Sequence, residues 1–170
     1  FVIGYALFQI PGGWLGDRWG ARIILTIALL WWSAFTAWTA MAPASSLTGW
    51  LGIVGALGLV RFLLGVGEAV ALPNFNRAVT DWLPPQERGI GIGIAIGGIG
   101  VGAAMTPPIT AWIMVNYGWQ TAFYLSAGLG IVLAAVWWFF ARDRPAAHPW
   151  VSTQGADVRN LSALTGSPAI

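Results

Sequence analysis

Apolar segments about as long as a bilayer is thick constrain the fold of this chain more than any other feature. Five of them follow one another, at residues 1–15, 23–41, within 50–80, 89–115 and 121–140. A helix needs about 20 mostly apolar residues to cross the hydrocarbon core. Because lipid offers no partner to backbone N–H and C=O groups, each segment has to satisfy its own as a helix. The sequence therefore predicts an all-α membrane protein with five crossings, the first of them short.

Composition excludes most soluble functions. Of 170 residues, 57% are hydrophobic and 8% are charged, against about 25% charged in a soluble domain. The formal charge of +2 is scattered along the chain, so we expect no nucleic-acid surface. Cysteine is absent and the single histidine, His148, lies in a polar tail. We therefore expect no disulfide, no metal site and no cofactor.

Arginines predict the direction of the crossings. They lie in or beside the first and third linkers and after the fifth segment: Arg18, Arg22, Arg77, Arg88, Arg142 and Arg144. The second and fourth linkers carry no charge. Cytoplasmic loops carry an excess of Lys and Arg, so the arginine-bearing linkers are predicted to be cytoplasmic.

Tryptophans near the segment ends predict anchoring at the membrane surface. They are Trp19, Trp50, Trp82, Trp119, Trp137 and Trp138, and indole rings prefer the headgroup layer.

The fourth segment combines glycines with a proline pair. Its glycines recur at a spacing of four, as in Gly89, Gly93 and Gly97. Such spacing predicts a groove for a second helix, either for plain packing or for sliding contacts during a conformational cycle. Pro107 and Pro108 are predicted to break or bend this helix near its outer end.

Two charged residues, Arg61 and Glu68, lie inside the third apolar segment. A charge at the centre of a span costs about 2.5–3.5 kcal/mol on insertion scales. Their spacing of seven residues places both on one helix face, about 10 Å apart along the axis. One interpretation is a structural ion pair, with each other or with a neighbouring helix. The other is functional, in which Arg61 binds an anionic solute and Glu68 takes up and releases a proton.

The first linker resembles a known signature. Residues 13–22 read Gly-Trp-Leu-Gly-Asp-Arg-Trp-Gly-Ala-Arg, which is similar to the cytoplasmic motif G-x-L-x-D-R-x-G-r-[KR] of the major facilitator superfamily. The resemblance implies a conformational-lock role for Gly13, Asp17, Arg18, Gly20 and Arg22. Ala21 departs from the motif, which usually has a basic residue there, so the charge network is thinner here.

A second resemblance names a branch. The stretch 61–69, then Pro73, Trp82 to Pro84 and Glu87 to Gly89 resemble the anion:cation symporters, which include sugar-acid, hexuronate and phthalate carriers. Residues 118–123 and 148–150 fit the same branch. The resemblance implies that Arg61 binds the substrate anion and that Glu68 is a coupling site. Tyr5 resembles a cavity-lining aromatic position, although a packing or interfacial role is open.

The resemblance maps residues 1–144 to helices two to six of a twelve-helix carrier. On this reading the chain is a fragment of the N-terminal half, without the first helix and the C-terminal half-bundle that completes the site. Residues 145–170 are expected to begin a flexible central cytoplasmic loop. The predicted function is proton-coupled symport of an organic anion, such as a sugar acid or aromatic carboxylate, in a bacterial inner membrane.

Other functions remain open at this point. One is export, or carriage of a different substrate by the same fold. Another is a truncated membrane protein that transports nothing. A membrane-embedded enzyme would need a nucleophile or metal ligands at depth, and the spans contain no Cys and no His. We therefore do not expect an enzyme.

Overall fold

The computed structural model describes residues 1–143, and the expected loop at 145–170 lies outside the described residues. Residues 1–143 contain no β-strand. Their α-helices are α1 (Val2–Trp19), α2 (Ala21–Met41), α3 (Leu47–Ala69), α4 (Ala71–Trp82), α5 (Arg88–Tyr117) and α6 (Trp119–Phe140), with a short 3₁₀ helix at Ala42–Ala44. The predicted all-α architecture is confirmed for this part of the chain.

Four stretches within residues 1–143 are long and apolar enough to cross a membrane: Ala21–Ala44, Leu47–Trp82, Arg88–Tyr117 and Trp119–Phe140. The 18-residue helix α1 is not among them. Its apolar run is interrupted by Gln9 and ends in Asp17 and Arg18, which lower its mean hydropathy. Four of the five predicted crossings therefore have the length and composition of a membrane span.

The third predicted segment forms two helices, α3 and α4, separated at Val70. Pro73 has no backbone N–H to donate to the carbonyl of Ala69, which explains why the helix is interrupted there. Near its start α3 has a second irregularity at Gly52, where φ is +67°.

Pro107 and Pro108 do not break α5, which runs without interruption from Arg88 to Tyr117. The prediction of a break was therefore wrong, and the alternative, a bend at these residues, remains a prediction. Each proline removes one hydrogen bond, and the unbroken turns on either side keep the helix continuous. Pro11 is accommodated within α1 in the same way.

Glycines on α1 allow its backbone to approach α3 and α4 closely. The buried residues of α1 are Gly4, Gly12 and Gly16. A Cβ on Gly4 would lie 2.5 Å from the carbonyl oxygen of Phe62, and one on Gly12 would lie 2.4 Å from Cγ1 of Val70. Small residues at such positions are the usual means by which membrane helices pack.

The glycine groove predicted on the fourth segment has no partner within residues 1–143. No residue of α5 is buried. A Cβ on any of six of its glycines would meet nothing within 4 Å: Gly89, Gly93, Gly97, Gly98, Gly100 and Gly102. The close contacts of glycines on α1 and α3 contrast with the open surroundings of these six.

Single glycines join two of the helix pairs. Gly20 connects α1 to α2 and Gly118 connects α5 to α6. Both have φ of +86°, with ψ of 152° and 155°. L-residues with a side chain rarely adopt this conformation, so both positions require glycine.

The ends of α2, α4 and α6 meet. The side chain of Arg22 bonds to the carbonyl of Trp138, and the indole of Trp82 bonds to the carbonyl of Arg142. The arginine-bearing linkers within residues 1–143 therefore lie at one end of the bundle, as the alternation of charge predicts. That this end is cytoplasmic remains a prediction.

We expect Gly12→Ala to destabilise the helix bundle by about 1–3 kcal/mol, because its methyl group would overlap the backbone and side chain of Val70. Thermal unfolding in detergent, followed by tryptophan fluorescence, would measure the change. Gly128→Ala on α6 is the matched control, since a Cβ there meets nothing within 4 Å. Equal effects of the two substitutions would show that α1 does not depend on this close approach.

Candidate functional site

Arg61 and Glu68 both lie on α3, where Arg61 is exposed and Glu68 is partly buried. Seven residues separate them, which is about two turns of helix. Within residues 1–143 neither side chain has an ion pair, and the ion pairs recorded there all involve Arg77. The interpretation of Arg61 and Glu68 as a structural ion pair is therefore not supported by the described part of the chain.

The guanidinium of Arg61 lies close to the aromatic ring of Phe123 on α6. The guanidinium carbon lies 5.9 Å from the ring centroid, near the limit for a cation–π contact of about 6 Å. This contact directs Arg61 from α3 towards α6. The sequence singled out Arg61, but no pattern linked it to a ring 62 residues away.

Two glycines between Arg61 and Glu68 fix this part of α3 against its neighbours. A Cβ on Gly65 would lie 2.4 Å from the carbonyl oxygen of Phe1, and one on Gly67 would lie 2.1 Å from Cδ1 of Trp31. The indole nitrogen of Trp31 on α2 also donates to the carbonyl of Leu63, at 2.8 Å. The two charged side chains therefore extend from a helix segment held by α1 and α2.

Tyr5 lies on α1 at the level of this segment. Its backbone nitrogen would be 3.2 Å from a Cβ on Gly65. Its ring stacks on Phe1 with centroids 6.1 Å apart, and its hydroxyl accepts a long hydrogen bond of 3.4 Å from Gln9. Within residues 1–143 no hydrogen bond joins Tyr5 to Arg61 or Glu68. The structure thus places Tyr5 near the segment, and a role in binding remains a prediction.

In the signature segment, residues 13–22, Asp17 forms an ion pair with Arg77 of α4. Arg77 also lies 3.5 Å from Asp81, one turn further along α4. This pair fastens the end of α1 to α4. Arg18 instead lies over the ring of Trp14 on its own helix, at 5.8 Å, and a Cβ on Gly13 would lie 3.5 Å from Cβ of Pro73.

Arg22 fastens the start of α2 to the end of α6. Its Nε and Nη2 donate to the carbonyl of Trp138, at 3.1 and 2.6 Å, and its guanidinium carbon lies 4.2 Å from the centroid of that ring. The last carbonyls of a helix lack partners within it, so Arg22 caps α6. In return the backbone N–H of Arg22 donates to Asp143, at 2.8 Å.

Three of the tryptophans predicted to anchor the protein in the bilayer also make contacts between helix ends. The ring and carbonyl of Trp138 contact Arg22, as described above. Trp137 donates to the carbonyl of Arg22 at 3.3 Å, and Trp82 donates to that of Arg142 at 2.8 Å. Together these contacts form what we call the helix-end network, made by Asp17, Arg22, Arg77, Trp82, Trp137, Trp138, Arg142 and Asp143. It joins α1 to α4, α4 to α6, and α6 to α2.

A cavity of about 690 Å³ lies within this network, between α2, α4 and α6. Arg22, Arg142 and Asp143 line it at the helix ends, and Leu29 and Leu133 line it further in. Neither Arg61 nor Glu68 borders it. The cavity is therefore distinct from the segment predicted to bind a solute.

Comparison with known proteins identifies relatives over most of the chain. The family model described as Major Facilitator Superfamily matches residues 1–170. A probable sulfoacetate transporter of Cupriavidus necator is 36% identical over 154 residues, 91% of this chain and 34% of that protein. The hexuronate transporter of Bacillus subtilis is 34% identical over 85% of the chain and 32% of its own length. The D-galactonate transporter of Escherichia coli is 37% identical over 78% and 29%. The chain thus spans about a third of the length of these relatives.

We expect Asp17→Asn to change stability little, by at most about 1 kcal/mol, because the side chain of Asp17 is 74% exposed and exposed ion pairs contribute little. A double-mutant cycle with Arg77→Gln, read out by thermal unfolding, would give the coupling energy. Asp81→Asn is the control, since Asp81 meets the same arginine from within α4. A coupling energy well above 1 kcal/mol would show that the pair is desolvated in the membrane.

Proposed function

Because this chain belongs to the Major Facilitator Superfamily, we propose that it forms part of a secondary transporter that carries an organic anion across the membrane. The observation that carries the proposal is Arg61, a cation inside an apolar span with no carboxylate partner in residues 1–143. The relatives support the substrate class, because sulfoacetate, hexuronate and D-galactonate are all organic anions.

Arg61 has the chemistry to bind such a solute. Its guanidinium is planar and always charged, and it presents a fork of N–H donors that fits a carboxylate. The ring of Phe123 beside it supplies an apolar wall. A bound anion would neutralise a charge that is otherwise costly at this depth. Sugar acids and aromatic carboxylates both combine a carboxylate with a body that can lie against such a wall.

Glu68 supplies the coupling step of the proposal. It lies two turns from Arg61 on the same helix, and no cation pairs with it among residues 1–143. Protonation would neutralise Glu68 while the anion neutralises Arg61, so the loaded segment would carry no net charge. Either ligand alone would leave the segment with a net charge, whereas the empty and the fully loaded segment carry none, so occupancy of both sites would favour the conformational change. The transporter is then a symporter of anion and proton.

The chain is an integral, multi-pass membrane protein, and the bacterial relatives support an inner-membrane location. We propose that residues 1–144 form one half-bundle and that residues 145–170 begin a connecting loop. Carriers of this type place their site between two halves. Further helices of the full-length protein would then complete the site around Arg61 and Glu68.

The first test is uptake by the full-length protein in energised membrane vesicles, with a panel of sugar acids and aromatic carboxylates. We expect Arg61→Gln to weaken binding roughly 10- to 100-fold, because a hydrogen-bonded charge contributes about 1.5–3 kcal/mol. Glu87→Gln is the control, as it removes an exposed carboxylate outside the spans. Undiminished uptake by Arg61→Gln would remove this residue from the site.

The coupling half of the proposal has its own test. We expect Glu68→Gln to abolish accumulation driven by a proton gradient while leaving exchange of labelled for unlabelled anion intact. A neutral glutamine mimics the protonated state, so the loaded forms can still interconvert. Proton-driven accumulation at the native rate in Glu68→Gln would assign coupling to another residue.

A further inference from the structure

We propose that Asp143 completes the signature segment as a positioning residue, by capping α2 through a hydrogen bond rather than an ion pair. A test of this role needs no substrate and does not depend on which solute is transported. Asp143 follows α6 and lies 121 positions from its partner, so no motif around residues 13–22 includes it.

The start of α2 lacks a cap of its own. The first four N–H groups of a helix have no partner within it. A side chain at the N-cap position usually accepts from the second or third of these groups, but that position in α2 is Gly20, which has no side chain. Oδ1 of Asp143 accepts the N–H of Arg22, the second helical residue, at 2.8 Å. A residue that follows another helix therefore does what an N-cap residue does locally.

Gly20 leaves the space that the carboxylate of Asp143 fills. A Cβ on Gly20 would lie 2.6 Å from Oδ1 of Asp143 and 2.7 Å from its Cγ. Two features thus require glycine at position 20: its positive φ, and the carboxylate of Asp143, which occupies the space that a side chain would need. The second feature depends on a residue far away in the sequence.

The capping is reciprocal. Asp143 satisfies an N–H at the start of α2, while the side chain of Arg22 satisfies the carbonyl of Trp138 at the end of α6. Within residues 1–143 the carboxylate of Asp143 has no ion pair, with Arg22 or with any other cation. The contact therefore requires an acceptor oxygen at residue 143 more than a charge.

The reciprocal cap predicts that the ends of α2 and α6 move as one unit. The signature segment then fastens two neighbours, with Asp17 holding α4 and Arg22 holding α6. Loss of the oxygen at residue 143 would loosen the second attachment alone.

The test measures the separation of α2 and α6 in the full-length protein by pairs of spin labels. Label sites are Ile23 in the first turn of α2 and Phe139 in the last turn of α6, both exposed. Residues 1–170 contain no cysteine, so the introduced pair needs no native cysteine removed from this stretch. The variants are Asp143→Asn, which keeps the acceptor oxygen, and Asp143→Ala, which removes it. Glu87→Ala is the matched control, an exposed acid whose side chain caps no helix.

We expect one narrow distance distribution in the native protein, in Glu87→Ala and in Asp143→Asn. In Asp143→Ala the separated population should increase about 2- to 30-fold, which corresponds to the loss of one helix cap. If Asp143→Ala fails to fold while Asp143→Asn folds normally, the requirement for the oxygen is also supported. An unchanged distribution in Asp143→Ala would overturn the proposal. So would an Asp143→Asn variant that behaves like Asp143→Ala, because the charge would then be what matters.

Discussion

Hydrocarbon cannot hydrogen-bond to a peptide group, and the rest of this structure depends on that constraint. It makes the spans helical, so that the backbone N–H and C=O groups without a partner inside the helix lie at the helix ends. There the arginines bond to them: Arg22 to the carbonyl of Trp138, Arg88 to those of Thr80 and Leu83, and Arg142 to those of Phe139 and Ala141. The arginines used to predict orientation from the sequence thus also cap helix C-termini. At a helix C-terminus a cation is favoured by the helix dipole.

The same constraint helps to fix the positions of Arg61 and Glu68 within the span. Since α3 satisfies its own backbone, its neighbours can approach to van der Waals contact where glycines allow it. Gly65 admits the backbone of α1, and Gly67 admits the ring of Trp31. A charged group on such a segment loses little further freedom when a solute binds, because the helix beneath it is already fixed. Rigid support of this kind is what a specific binding site needs.

The elements of the fold could be predicted from one-dimensional patterns, because apolar length and alternating arginines are properties of consecutive residues. Contacts between distant residues could not. Phe123 beside Arg61 and Asp143 beside Gly20 belong to helices far apart in sequence. The glycine spacing predicted close helix packing on α5, whereas within residues 1–143 the glycines of α1 pack closely. Spacing alone does not show which neighbouring helix is present. The break predicted at Pro107 and Pro108 is absent, because the loss of one backbone hydrogen bond per proline does not interrupt a long apolar helix whose other turns are intact.

The two glycine links, Gly20 and Gly118, adopt the same backbone conformation at opposite ends of the bundle. The pairs α1–α2 and α5–α6 are therefore joined by the same kind of single-glycine turn. Their surroundings differ: the carboxylate of Asp143 fills the space beside Gly20, whereas among residues 1–143 a Cβ on Gly118 would meet only Oε1 of Gln120, at 3.6 Å. A side chain at residue 20 would therefore meet a carboxylate as well as an unfavourable backbone conformation, whereas one at residue 118 would meet the backbone strain alone, so the two turns differ in how far a substitution would disturb the neighbouring helix.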